Sequence, residues 1–297
     1  MSNIDCLYKT QIDSCFSINT DDIHIPQPID KVFIFKNDIF ECFDFYSIKS
    51  LDMMTITILN AISSKCKAQL FSDDFDFTLL YDNVLNSLLS FDEDLVLTSS
   101  RLLLTLTYLS DSAISYLSTK VSELISIFRE FWPNMTINSY ILNLLQSTFI
   151  EFPFSACDAL GVGILDIFTD IIDSTSSERK HIKIIASIIQ FITLNIDLLS
   201  QKLNETPELA ITSDFFERIC FDFAHKFLMI NDEEIFGSAL YTISHLQQKL
   251  EFPPDAIFQY DTLDILLDQL SRHKNIIPIF QVFSNFHDVQ FINVLFD

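Results

Sequence analysis

Residues 180–203, KHIKIIASIIQFITLNIDLLSQKL, constrain the fold more than any other stretch of the chain. Ile182, Ile185, Ile189, Ile192, Ile196, Leu199 and Leu203 recur at steps of three and four, the spacing of one helix face. Ile184, Ile188, Phe191, Leu194 and Leu198 form a second apolar row. Only a narrow strip, Lys183, Ser187, Gln190 and Asp197, stays polar. A helix apolar around most of its circumference is buried on several sides. Read as one element it is about 36 Å long and needs neighbours on both flanks. A membrane span is excluded, because Lys180, Lys183 and Asp197 leave a clean run shorter than the roughly 20 residues a span requires. The second apolar row is also too wide for the seam of a two-stranded coiled coil.

The rest of the composition agrees with a helical core. The chain has 297 residues and is 49% hydrophobic, too apolar for a disordered protein. It has only 3 glycines, Gly161, Gly163 and Gly237. Tight hairpins, phosphate-cradling loops and nucleophile elbows depend on glycine, so the expected class is all-α. Residues 1–50, with Pro26 and Pro28, read as an N-terminal lead-in, extended or short-helical; residues 51–297 read as the helical domain.

From Leu51 onward the helical period is continuous. Met54, Ile58, Ile62, Cys66 and Leu70 open it, and the acidic patch Asp73, Asp74 and Asp76 breaks it. Helices follow over 79–90 and through 101–109. A longer one, capped by Asp111 or Ser112, carries Ile114, Leu117, Val121, Leu124, Ile125 and Phe128. Five of the eight prolines (Pro133, Pro153, Pro207, Pro253 and Pro254) fall at breaks placed independently by the apolar period. Residues 204–213, NETPELAITS, form the longest polar connection.

A period runs through these helices. Thr98, Ser139, Ala186, Gly237 and Pro278 each stand early in a second helix, at successive spacings of 41, 47, 51 and 41 residues. Val121 in VSELISIF and Val162 in VGILDIF are 41 apart among the first helices. The segments VGILDIFTDIIDSTSSERKHIKIIASIIQFI and FFERICFDFAHKFLMINDEEIFGSALYTI therefore resemble armadillo-type repeats. In each, an apolar helix, a polar turn and a second apolar helix follow in order, with a small residue for close packing. The resemblance implies a right-handed armadillo/HEAT-like superhelix of about five helix pairs after the lead-in. It implies a non-enzymatic scaffold or adaptor that holds a protein segment. Importin-type members repeat Trp and Asn on their inner helices; here Trp132 stands alone beside a proline, while Asn143 and Asn285 lie on second helices. Asn143 and Asn285, with the polar strip Lys183, Ser187 and Gln190, are the candidate partner-binding residues.

The charge bears on the partner. Lys+Arg is 18 against Asp+Glu 41, a net −23 that disfavours nucleic acid and anionic membranes. A basic protein or peptide remains an expected partner, and a transport or regulatory subunit with an acidic concave wall is the alternative. The six cysteines form no C-x-x-C pair and suggest no disulfide framework, and the stretch MSNIDCLYKT is polar, without a signal h-region. A cytoplasmic or nuclear location is expected. The histidines show no zinc spacing, and no G-x-S-x-G or Walker motif occurs, so no enzyme activity and no cofactor are expected. Asp166, Asp170 and Asp173 share a helix face that reads as solvated rather than as a cation site. Asp92-Glu93-Asp94 and Asp232-Glu233-Glu234 precede second helices and are expected to cap them.

Overall fold

The computed structural model describes residues 44–63, 75–132, 134–174, 178–205 and 213–249, together with Ile265 and Asp268. Among them are twelve α-helices and no strand, so the fold is all-α. The helices are α1 (Ile48–Ser63), α2 (Phe77–Leu88), α3 (Glu93–Leu109), α4 (Asp111–Ser118), α5 (Val121–Glu130) and α6 (Met135–Glu151). Then follow α7 (Ser155–Gly161), α8 (Ile164–Asp173), α9 (Arg179–Leu194), α10 (Ile196–Glu205), α11 (Ser213–Leu228) and α12 (Glu233–Lys249). The lead-in over 1–43 and the last expected helix pair, with Pro278 and Asn285, lie outside the described residues.

From α4 onward the order short, intermediate, long recurs three times: α4–α5–α6, α7–α8–α9 and α10–α11–α12. The long members contact one another in sequence. α1 packs on α3, α3 on α6, α6 on α9 and α9 on α12. The shorter helices lie behind this row: α2 and α4 touch each other and α3, α5 and α7 touch each other and α6, and α10 and α11 touch each other and α9. The core is continuous along the row, through Val96, Leu103, Ile141, Leu145, Ile185, Ile189, Ala239 and Ile243, each under 2% exposed.

Local chemistry sets the helix starts. Asp92 accepts hydrogen bonds from the Asp94 and Leu95 N–H groups, and Asn134 from those of Thr136 and Ile137. Asp232 accepts from Glu234 and Ile235 in the same way. Each satisfies donors that the first helical turn leaves free, so the expected caps at Asp92 and Asp232 form. The cap of α4 is Ser110, one residue before the expected pair, and its hydroxyl accepts from the Ser112 N–H at 3.3 Å.

Two elements differ from the sequence reading. The stretch 180–203 is two helices, α9 and α10, bent by 73° at Asn195. The Asn195 amide donates to the Phe191 carbonyl at 2.9 Å and the Thr193 hydroxyl to the Ile189 carbonyl at 2.8 Å. Such side chains offer the last carbonyls an alternative to the next helical turn. The apolar period runs through the bend because each piece buries its own side, α9 in the row and α10 against α7. Likewise the helix expected across 111–128 is α4 and α5, parted where the Thr119 hydroxyl donates to the Tyr116 carbonyl at 2.7 Å. One expected first helix, 111–128, and one expected second helix, 180–203, are therefore each two helices. The chain also breaks at Gly161-Val162-Gly163, where Gly163 sits at φ +82°, a left-handed conformation that costs a side chain energy.

Candidate functional site

α3, α6 and α9 each meet two row neighbours as well as shorter helices, while α12 meets α9 and α11 among the described residues. The remaining side carries the residues left part-exposed. On α3 these are Leu97, Arg101 and Tyr108; on α6, Ser139, Tyr140, Asn143 and Gln146. On α9 they are Lys183, Ser187, Gln190 and Phe191; on α12, Gly237, Ser238, Tyr241 and Ser244. Their spacing of three and four keeps each set on one helix face. Because the helices lie side by side, the four sets form one surface of amides, hydroxyls and aromatic rings.

Polar pairs clasp neighbouring long helices to one another. Arg101 on α3 is paired with Asp52 on α1. The Asn134 amide before α6 donates to Glu93 on α3. Gln146 on α6 donates to the Ser187 hydroxyl on α9 at 2.7 Å, and Ser139 bonds His181 at 2.6 Å. Lys183 on α9 lies 2.6 Å from Glu234 and 3.4 Å from Asp232 at the start of α12. Its hydrogen bond with Glu234 holds the Lys183 ammonium above its ordinary pKa. Burial raises the Asp232 pKa, but the bond from the Ile235 N–H and the nearby Lys183 charge together bring it below the ordinary carboxylate value.

The structure therefore brings four of the five sequence candidates to this surface. Lys183 and Ser187 are engaged across helix boundaries. Asn143 donates to the Ser139 carbonyl of its own helix at 2.7 Å and keeps its amide oxygen for another donor. Gln190 is half-buried in the same strip. Asn285 lies outside the described residues. The sequence reading missed the tyrosines Tyr140 and Tyr241 and the salt-bridged Arg101. Their helical register was readable, but which side of the helix stays open depends on the stacking of neighbours.

Gly237 was read as a small residue allowing close approach. The structure differs: a Cβ there would meet nothing within 4 Å. Among the described residues no neighbour of α12 demands smallness there. Ala186, at the equivalent place in α9, is 1% exposed and does pack closely.

A separate cleft of about 310 Å3 lies behind the row, lined by Arg129, Trp132, Asp166, Ile167 and Asp170. Arg129 is anchored to the Val162 carbonyl at 2.9 Å. Asp173, the third acid of that helix face, pairs with Lys226 at 2.8 Å. No group of three or more His, Cys, Asp or Glu among the described residues is placed to hold a metal ion. Cys157 is buried, with its thiol pushed up to about 11 by burial and by Asp158, so it stays protonated at neutral pH. No single helix among the described residues is long and apolar enough to cross a membrane; α9 and α10 together reach that length only across their 73° bend.

No protein-family model and no curated protein matches this chain. The crystal structure of an engineered protein, a Northeast Structural Genomics Consortium target, is similar in backbone, with a TM-score of 0.52 at 12% sequence identity. The likeness covers 80% of this chain and 89% of that one. At that identity it speaks of the helix arrangement alone.

Proposed function

We propose that the chain is a non-enzymatic interaction scaffold, a right-handed armadillo/HEAT-like superhelix whose open row surface holds an extended segment of a partner protein. The observation that carries this reading is a set of five bonds between elements at nearly one separation, among others that span 31 to 53 residues. Ser87 to Phe45, Ser139 to His181 and Cys157 to Leu199 each join residues 42 apart. Asn134 to Glu93 and Gln146 to Ser187 each join residues 41 apart. One unit length therefore recurs at several joints, as expected of stacked repeats that contact mainly their neighbours. The step from such a fold to partner binding is an analogy between folds. The open surface supports it: amides at Asn143, Gln146 and Gln190 suit the N–H and C=O groups of an extended backbone, and Tyr140 and Phe191 flank them.

The test compares what the wild type and an Asn143→Arg/Gln190→Arg double variant capture, after matching their melting temperatures. Loss of discrete partners by the variant supports the surface assignment. Capture of the same set by both contradicts it.

The second reading is a transport or regulatory subunit holding a basic segment. It is favoured by the net charge of −23 and by the acids Glu93, Asp94, Glu233 and Glu234 at the starts of α3 and α12. It predicts binding that weakens steeply with added salt, since exposed charges are screened beyond about 8 Å at physiological ionic strength. Binding that holds from low to high salt would favour the neutral, amide-lined surface instead.

A further inference from the structure

His181 is 1% exposed, in the first turn of α9 where that helix meets α6. Its Nε2 lies 2.8 Å from the Met135 carbonyl oxygen and 2.6 Å from Ser139 Oγ. Ser139 Oγ donates in turn to the same carbonyl at 3.0 Å. A carbonyl only accepts, and a bare ring nitrogen at that distance would set lone pair against lone pair. Nε2 therefore carries the proton, and Nδ1 carries the lone pair of a neutral imidazole. Nδ1 is buried and has no hydrogen-bond partner.

A second proton would have to enter at Nδ1. It would create a buried N–H with no acceptor and a charge in an apolar joint, both costly. The charged groups acting on the ring are Lys180 and Glu178, both at the start of α9. Lys180 opposes a second positive charge. Glu178 favours it but is itself paired with Lys180 at 3.0 Å. Among the described residues, the Met135 carbonyl and the Ser139 hydroxyl are the α6 groups bonded to the ring, and Lys180 and Glu178 are the charged groups that act on it. Burial, and then Lys180, hold the His181 pKa below the ordinary 6.5.

We propose that the α6–α9 joint is an acid-sensitive hinge, which opens when His181 takes a proton while the rest of the row stays folded. The sign follows from linkage. Above pH 6.5 the ring is neutral in both the closed and the open joint, and closure is undiminished. As pH falls below 6.5 the freed ring binds a proton that the packed ring resists, and closure weakens by up to about tenfold per pH unit until the packed ring titrates too. The same joint carries the Gln146–Ser187 clasp, so opening would divide the row surface at its middle. This inference does not depend on what that surface binds.

The test is hydrogen–deuterium exchange on the full chain at pH 7.5 and 5.5, corrected for intrinsic exchange, in the wild type and in His181→Gln. Glutamine keeps an N–H for the Met135 carbonyl but does not titrate. The expected result is a several-fold, at most about tenfold, rise in the opening of α6 and α9 amides at pH 5.5 in the wild type, with no such rise in the variant. Equal protection of α6 and α9 at both pH values in the wild type, or an equal rise in His181→Gln, would overturn the proposal. If His181→Gln does not fold, an NMR titration of the wild-type His181 ring decides. Titration below 6.5, with loss of α6–α9 cross-peaks, supports the hinge; titration at or above 6.5 overturns it.

Discussion

Ile189 shows what single residues in this chain were able to announce. Its neighbours at steps of three and four mark it as central to an apolar face, and it is 0% exposed in the row. Ile189→Ala is expected to cost about 2–5 kcal/mol through lost burial and the cavity left behind. Ile189→Asp is expected to leave the chain aggregated or unfolded, because a buried charge would have no partner. Denaturant unfolding checks the first and size-exclusion chromatography the second; a melting temperature unchanged in either would show that this face is not core. The polar residues of the strip were less legible. Lys183, Ser187 and Gln190 stand out in the sequence as the only gaps in an apolar helix. That Lys183 is held by Asp232 and Glu234 depends on residues about 50 positions away, which no local pattern reveals. The bonds of His181 to Met135 and Ser139, 46 and 42 positions away, were hidden for the same reason.

At the scale of elements, apolar spacing reveals that a helix exists better than it reveals where the helix bends. The period passes unbroken through Asn195 because α9 and α10 each bury a face. The back-bonds of Thr193 and Asn195 do not mark the bend, since Asn143 and Thr148 bond the same way inside unbroken α6. The two described glycines with defined surroundings separate backbone need from mere smallness. Gly163→Ala is expected to destabilise by about 1–2 kcal/mol, since the residue at φ +82° ends α7 and opens α8 in a left-handed conformation. Gly237→Ala is expected to stabilise by about 1 kcal/mol, since it sits inside α12 with open space around its Cβ. Chemical denaturation of the two variants gives shifts of opposite sign if these assignments are right, and a loss of stability at Gly237 would restore the close-packing reading.

At the scale of the molecule, the all-α class was legible from three glycines and a continuous helical period. The order short, intermediate, long was not, because two of its breaks, at Thr119 and Asn195, lie inside stretches that read as single helices. The long helices contact one another in chain order, so cutting the chain between two of them should not part them. A protease site placed within 206–212 separates α10 from α11 in the chain, but α11 and α12 both pack on α9. The cut protein is expected to elute at its original size, whereas two soluble folded pieces would mean that 206–212 joins independent domains.

The most direct measurement of the row itself is a spin-label distance between Asp94→Cys and Glu233→Cys, at the exposed starts of α3 and α12. Three successive steps of about 8–10 Å, α3 to α6 to α9 to α12, place these positions about 24–30 Å apart. A distribution centred in that range is the predicted result. A distance near about 10 Å, the spacing of helices in direct contact, would mean that α3 and α12 close on each other in a bundle, and the stacked row would be wrong.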